Sequence, residues 1–227
     1  MIKYVFVTGP PGSKWAGLSK WLSQTTTIVD SSDDTPWRID NPENESNHAH
    51  AFFGPYHESG ERFDQLHLLT REEIFTEIDR AHQDTDFDTG IRFCRCHWFA
   101  YQLDWIVENL PEVDIMMVVR PPQICFDWWF EAGGWHIQYP TYKWYGTEEN
   151  MWRQINVEIR CIADFTKKHN IKWENGINTD TWLTRNWPEM INYFDQGNMP
   201  YEIDEITVSA AIYKGKESVS LRETAGR

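Results

Sequence analysis

Apolar positions along the chain alternate between short continuous runs and stretches with a helical repeat, an order typical of an α/β protein. Residues 3–8 form a β-branched and aromatic run that is closed by Gly9, and residues 14–24 then carry apolar side chains at helical spacing. Residues 114–119 form a second apolar run after a polar Asp, as expected for a central parallel strand covered on both faces. The chain is therefore predicted to begin with a strand, a tight glycine turn and a helix.

Caps and periodicity predict the remaining elements. Thr70 and Glu73 have the spacing of a capping box, which predicts the start of a helix over about 71–83. Further predicted elements are a strand at 91–97, helices at 98–109 and from Pro122 through Phe130, a helix at 148–168 capped by Thr147, a last strand at 171–173, and one or two helices within 180–195. Residues 30–69 lack periodicity and predict a long loop. The fold class predicted is a three-layer α/β P-loop fold, with a mainly parallel sheet and helices on both faces.

Composition predicts one domain in an intracellular setting. No linker or repeat divides the 227 residues, so residues 1–205 are expected to form a single domain and residues 206–227 a C-terminal tail. The excess of 35 acidic over 21 basic side chains gives a formal charge of -14, which disfavours nucleic-acid and anionic-membrane partners. No apolar window approaches the roughly 18 residues of a membrane span. The four scattered cysteines do not suggest a disulfide framework, so a cytoplasmic location is expected.

The first strand-to-helix turn, Gly9-Pro10-Pro11-Gly12-Ser13-Lys14, is a candidate phosphate-binding loop. Its glycines let backbone N–H groups approach an anion, the following helix contributes its positive end, and Lys14 adds a cation. The Walker A spacing is not met, because Trp15 stands where a magnesium-binding hydroxyl belongs. This loop therefore points away from ATP hydrolysis, and a plain glycine-proline turn is the alternative.

Two further predicted strand ends carry candidate site residues, and ligands of parallel α/β sheets bind at such ends. The strand at 91–97 ends on His97, which can act as a general base near neutral pH. The strand at 114–119 is followed by Arg120, whose guanidinium suits a phosphate better than magnesium. A structural histidine and a surface arginine in a salt bridge are the alternatives. The cysteines near His97 lack a fourth ligand at metal spacing, so no metal site is predicted.

Taken in order, these three segments resemble those of the 3′-phosphoadenosine 5′-phosphosulfate (PAPS)-dependent sulfotransferases, whose fold is similar to that of the P-loop nucleotide kinases. The family has a Pro-Lys/Arg-Ser-Gly-Thr-Thr loop, a Lys-Thr-His strand end and an Arg-Asp-Pro-Arg-Asp strand end. This chain has Pro11-Gly12-Ser13-Lys14, Arg95-Cys96-His97 and Arg120-Pro121-Pro122-Gln123, within about residues 1–130. Tyr213-Lys214-Gly215 is similar to the family's Arg-Lys-Gly cofactor segment.

The resemblance implies transfer of a sulfuryl group from PAPS to a hydroxyl or amine of a small-molecule or carbohydrate acceptor, with adenosine 3′,5′-bisphosphate as the product. Lys14 would stabilise charge on the leaving oxygen, His97 would be the general base, and Arg120 would hold the 3′-phosphate. Trp128 stands where the family has its 3′-phosphate serine. The residues implied at the cofactor site are Pro11, Gly12, Ser13, Lys14, Trp15, Arg120 and Trp128.

Two other functions are compatible with the sequence. A small-molecule or nucleotide kinase is suggested by the Gly-Pro-Pro-Gly-Ser opening and by Val29-Asp30 as a possible strand-end carboxylate. A degenerate P-loop domain that binds a nucleotide or a protein partner without turnover belongs to a different class.

Overall fold

The structure is a computed structural model that describes residues 2–15, 18, 63–81, 90–131, 146–176, 185–188 and 208–216. These residues form an α/β fold around one five-stranded sheet, which confirms the predicted fold class at this level. The strands are β1 (Ile2–Thr8), β2 (Gly90–Arg95), β3 (Asp114–Val119), β4 (Glu174–Asn175) and β5 (Ser209–Tyr213), in the spatial order β2-β1-β3-β5-β4. The helices are α1 (Arg71–Ala81), α2 (Leu103–Asn109), α3 (Pro122–Glu131) and α4 (Glu148–Lys168), with 3-10 helices at Phe63–Leu68 and His97–Tyr101.

The sheet is mixed. β1 pairs in parallel with β2 and β3, so that Val5 lies opposite Phe93 on one side and Asp114 on the other. β5 is antiparallel to both β3 and β4. The carboxyl ends of β1, β2 and β3 therefore share one edge of the sheet, while the rest of the sheet departs from the mainly parallel arrangement predicted.

The C-terminal part of the sheet differs from the prediction. β5 lies between β3 and β4, so residues 209–213 belong to the sheet although the sequence placed a tail from residue 206. Its segment, Ser-Ala-Ala-Ile-Tyr, lacks the run of large apolar residues by which strands are recognised. The last predicted strand, 171–173, is also displaced, since pairing occurs at Glu174–Asn175.

The predicted helix caps at Thr70 and Thr147 are confirmed. The Thr70 backbone N–H donates to Glu73 Oε2 at 2.7 Å, and the Glu73 N–H donates to Thr70 Oγ1 at 3.2 Å, which completes the capping box of α1. Thr147 Oγ1 accepts from the Asn150 N–H at 3.1 Å, and α4 spans the predicted residues 148–168. Helix 14–24, loop 30–69 and helices 180–195 lie largely outside the described residues.

The core lies against the three parallel strands. Its main cluster joins apolar side chains of β1, β3, the 3-10 helix 97–101 and α4, among them Phe6, Phe99, Ile115, Met117 and Ile162. A second cluster joins α3 and α4 through Cys125, Trp129, Met151 and Ile155. α4 therefore fixes both the helix after β2 and the helix after β3 relative to the sheet. None of the helices in the described ranges is long and apolar enough to cross a membrane.

Candidate functional site

The turn after β1 packs so closely on α3 that one of its positions requires glycine. Gly12 has φ +77°, and a Cβ atom built there would lie 1.8 Å from the Cys125 carbonyl oxygen. The Ser13 N–H donates to the Pro10 carbonyl at 3.1 Å, which tightens the turn. Lys14 also has a positive φ, 62°, a conformation uncommon for a residue with a side chain. Backbone strain of this kind concentrates at ligand-binding and catalytic sites.

Two cationic side chains that are far apart in the sequence, Lys14 and Arg120, lie close together beside this turn. Lys14 Nζ lies 4.3 Å from the centre of the Trp128 ring, and the Arg120 guanidinium carbon lies 5.5 Å from the same centre. Arg120 Nη1 donates at 3.5 Å to the carbonyl of Gly12. Arg120 is only 4% exposed and Trp128 40% exposed, so the cluster extends from the protein interior to the surface.

His97 joins the end of β2 to the start of the same turn. Its Nδ1 lies 2.7 Å from the carbonyl oxygen of Gly9, and Trp15 packs edge-on against the ring with centroids 4.4 Å apart. Because a carbonyl oxygen only accepts, Nδ1 carries the hydrogen, and in the neutral ring Nε2 holds the lone pair. His97 is 4% exposed. The tautomer is therefore the one that a base acting through Nε2 requires.

One polar atom of the turn has no partner among the described residues. Ser13 Oγ is fully buried and forms no hydrogen bond within the described part of the chain. A buried hydroxyl without a partner costs about 1–3 kcal/mol, so this atom is a candidate ligand contact. Asp127, whose charge would repel a phosphate, accepts instead from Gln123 Nε2 at 2.8 Å on the exposed side of α3.

A buried polar network behind His97 was not predicted. Glu158 Oε2 lies 3.7 Å from His97 Nδ1, while Oε1 accepts from Tyr101 O–H at 3.4 Å and from Gln154 Nε2. Burial raises the pKa of Glu158 above its ordinary value. The helical spacing could have revealed this network, because it places Gln154 and Glu158 on the buried face of α4. That face also carries Met151, Ile155 and Ile162.

The cysteines near the site are unsuited to nucleophilic chemistry. Burial raises the pKa of Cys125 to about 12, and it raises that of Cys96 above its usual range. Both are therefore neutral thiols at physiological pH. Over the described ranges, no group of three or more histidine, cysteine or acidic side chains could hold a metal ion.

The segment 213–215 lies at the amino ends of the parallel strands, whereas the candidate site lies at their carboxyl ends. Its similarity to a cofactor segment had suggested a place in the site. Lys214 Nζ lies 2.7 Å from Asp114 Oδ2, and the Gly215 N–H donates to Asp114 Oδ1 at 2.7 Å. Asp114 is the first residue of β3, whereas Arg120 follows its last. β5 runs antiparallel to β3, and its carboxyl end therefore lies away from the turn at residues 9–15.

The structure thus places the loop 9–15, His97, Arg120 and Trp128 at the carboxyl ends of the three parallel strands. Comparison with known proteins adds no relative: the chain shows no significant match to a protein-family model, to a curated protein or to a solved structure. The site is therefore interpreted from its own geometry.

Proposed function

We propose that the protein is a PAPS-dependent sulfotransferase of P-loop, three-layer architecture that transfers a sulfuryl group to a hydroxyl or amine acceptor. The observation that carries the proposal is the meeting of Lys14 and Arg120 on the Trp128 ring, beside the glycine turn and one strand end away from His97. Two cations at such an edge suit a ligand with two anionic groups. PAPS has two, the 5′-phosphosulfate and the 3′-phosphate.

Each part of the turn has a role in this reaction. The backbone N–H groups of Gly12, Lys14 and Trp15, beside Pro11, and the Ser13 hydroxyl would hold the 5′-phosphosulfate. Ser13 Oγ, which has no hydrogen-bond partner among the described residues, supports this assignment. Lys14 would stabilise negative charge on the leaving oxygen. Arg120 would bind the 3′-phosphate, with Trp128 as an adjoining aromatic surface that already accommodates positive charge.

The proposed sulfuryl transfer requires no metal ion. His97 Nε2 takes the proton of the acceptor hydroxyl while the acceptor oxygen forms a bond to sulfur. The bond between sulfur and the bridging oxygen breaks, and its electron pair stays on the 5′-phosphate of adenosine 3′,5′-bisphosphate. Positioning by cations and amides supplies the catalysis in such in-line transfers.

A second candidate, nucleotide binding without turnover, is favoured by the near-complete burial of His97, since an acceptor must reach Nε2 for the reaction to proceed.

Ligand-induced thermal stabilisation distinguishes these functions and the kinase alternative. A ligand at about 100 times its Kd adds roughly 2.7 kcal/mol to stability. We expect adenosine 3′,5′-bisphosphate to raise the Tm and ATP with magnesium to leave it unchanged. Sulfate transfer from labelled PAPS to simple alcohols and sugars then separates turnover from binding alone.

Matched variants assign the response to the site. Lys14→Ala and Arg120→Lys should lose most of the bisphosphate response, whereas Lys167→Ala and Arg160→Ala alter exposed cations on α4 and should keep it. A Tm that responds only to ATP with magnesium would establish the kinase alternative. Equal responses in the site and control variants would show that the bisphosphate binds elsewhere.

A further inference from the structure

Glu158 is a buried ionisable group to which the proposed reaction assigns no role. Among the described residues only two carboxyl groups are fully buried, Asp114 and Glu158. Asp114 is surrounded by two lysines and two N–H donors. Within the described part of the chain Glu158 forms no ion pair with a lysine or arginine, and its Oε2 faces the His97 imidazole.

The carboxyl group of Glu158 and the Gly9 carbonyl both face the Nδ1 side of His97. The distances are 3.7 Å from Nδ1 to Glu158 Oε2 and 2.7 Å from Nδ1 to the Gly9 oxygen. Tyr101 and Gln154 donate to the other oxygen, Oε1, which orients the carboxyl plane. The Gly9 carbonyl accepts from Nδ1–H, whereas Glu158 Oε2 lies beyond hydrogen-bond distance and faces the ring as a nearby carboxyl group.

The remaining titratable groups that face Glu158 are Tyr101 and Cys96 from the segment after β2, and Cys125 from α3. Burial raises the pKa of all three above the neutral range, so each stays uncharged. Of the described groups that face Glu158, His97 is therefore the one that can become positive. A buried charge needs a charged or hydrogen-bonded partner, so ionisation of Glu158 and protonation of His97 support one another.

We propose that Glu158 is a positioning residue for His97, whose carboxyl group faces the Nδ1 side of the imidazole and compensates its charge once Nε2 has taken the proton. The imidazolium and the Glu158 carboxylate then form a buried pair of opposite charges, which favours the transfer. The pairing itself is independent of the reaction, and only its catalytic use rests on the proposed function.

Nitrogen NMR of histidine-labelled protein tests the pairing directly. The His97 signals are assigned by their absence in His97→Gln, and the ratio of doubly to singly protonated imidazole is measured at about pH 6. An opposite charge favours the charged form of its neighbour, so Glu158→Gln should lower the ratio. Glu158→Asp keeps the charge and should restore part of it.

Asp164→Asn removes a carboxylate from the exposed side of the same helix and serves as the matched control. It should leave the His97 ratio unchanged. A ratio that is equal in wild type and Glu158→Gln, with both proteins folded by circular dichroism, overturns the pairing whatever the enzyme does.

Kinetics separate this proposal from the proposed function. If the sulfotransferase assignment holds, Glu158→Gln should lower kcat about 10–100-fold while the adenosine 3′,5′-bisphosphate response stays intact, because the carboxyl acts through the base. Unchanged kcat would overturn the positioning role. Absence of any transfer by wild type, together with the expected NMR change, would reject the sulfotransferase assignment and leave the pairing established.

Discussion

At the amino end of β3, Asp114 is buried with contacts on both carboxylate oxygens, whereas at the carboxyl edge of the sheet Ser13 Oγ and Glu158 Oε2 are buried without a hydrogen-bond partner in the described ranges. The groups around Asp114 are Lys3 Nζ at 3.1 Å and, each at 2.7 Å, Lys214 Nζ, Trp187 Nε1 and the Gly215 N–H. Satisfied buried charge fixes a structure, while unsatisfied polar atoms cost stability and persist where something else uses them. Asp114 thus holds the amino ends of the strands together, and the candidate site lies at their carboxyl ends.

The largest loss of stability is expected when Asp114 is replaced. Asp114→Ala leaves two lysines and the Trp187 N–H without their common acceptor, and it should lower the free energy of unfolding by about 3–5 kcal/mol. Urea denaturation followed by tryptophan fluorescence measures the loss. Asp104, which is half exposed beside Lys168 Nζ at 2.8 Å, is the control, and Asp104→Ala should cost about 1 kcal/mol or less. Similar losses in the two variants would contradict the structural role of the Asp114 cluster.

The sequence located the carboxyl ends of β1, β2 and β3 better than the buried ion cluster at their amino ends. β1, β3 and α4 were found from their apolar runs and caps, and the rule that ligands bind at parallel strand ends then singled out Lys14, His97 and Arg120. Asp114 was recognised only as the polar start of a strand. Its partners lie more than 70 residues away along the chain, Lys3 before it and Trp187 and Lys214 after it, and no local pattern marks such long-range pairing.

Two further features were hidden for different physical reasons. β5 consists largely of small residues, whose pairing with β3 depends on tertiary context more than on propensity. Glu158 and Gln154 look like solvent-facing polar residues when read singly, although their spacing places them on the buried face of α4. Sequence patterns thus locate apolar faces well, but they do not identify polar groups that the fold buries.

The next largest effect is expected at the glycine turn. Gly12→Ala adds a methyl group where the Cys125 carbonyl lies and forces a side chain into φ +77°, so it should cost about 2–4 kcal/mol and abolish the bisphosphate response. Gly146 has φ +132° with nothing within 4 Å of a built Cβ. Gly146→Ala therefore bears the conformational cost without the steric one. The difference in urea midpoint between the variants isolates the close approach, and equal midpoints would refute it.

An intermediate loss of stability is expected when Trp128 is replaced. Trp128→Ala removes the ring that Lys14 and Arg120 share, and each cation–π contact at an exposed site contributes about 0.5–1 kcal/mol. A loss of about 1–2 kcal/mol is expected, together with a changed affinity for adenosine 3′,5′-bisphosphate measured by calorimetry. Trp152, 39% exposed against 40% for Trp128, is the matched control. If Trp152→Ala changes the affinity equally, the aromatic surface as a whole is responsible and the two cations are not.

The smallest change in stability is expected for Ser13→Ala. It is the most discriminating change, because its sign is opposite to that of an ordinary core substitution. Ser13→Ala removes a buried hydroxyl with no described partner, so it should leave stability unchanged or raise it by about 1 kcal/mol while abolishing the bisphosphate response. Thr8 Oγ1 donates to the His97 carbonyl at 3.2 Å, and Thr8→Val should lose about 1 kcal/mol. A Ser13→Ala protein that is less stable yet still binds the bisphosphate would mean that the hydroxyl serves the fold. A more stable protein that no longer responds would show that this turn trades stability for a ligand, which is what distinguishes its edge of the sheet from the one around Asp114.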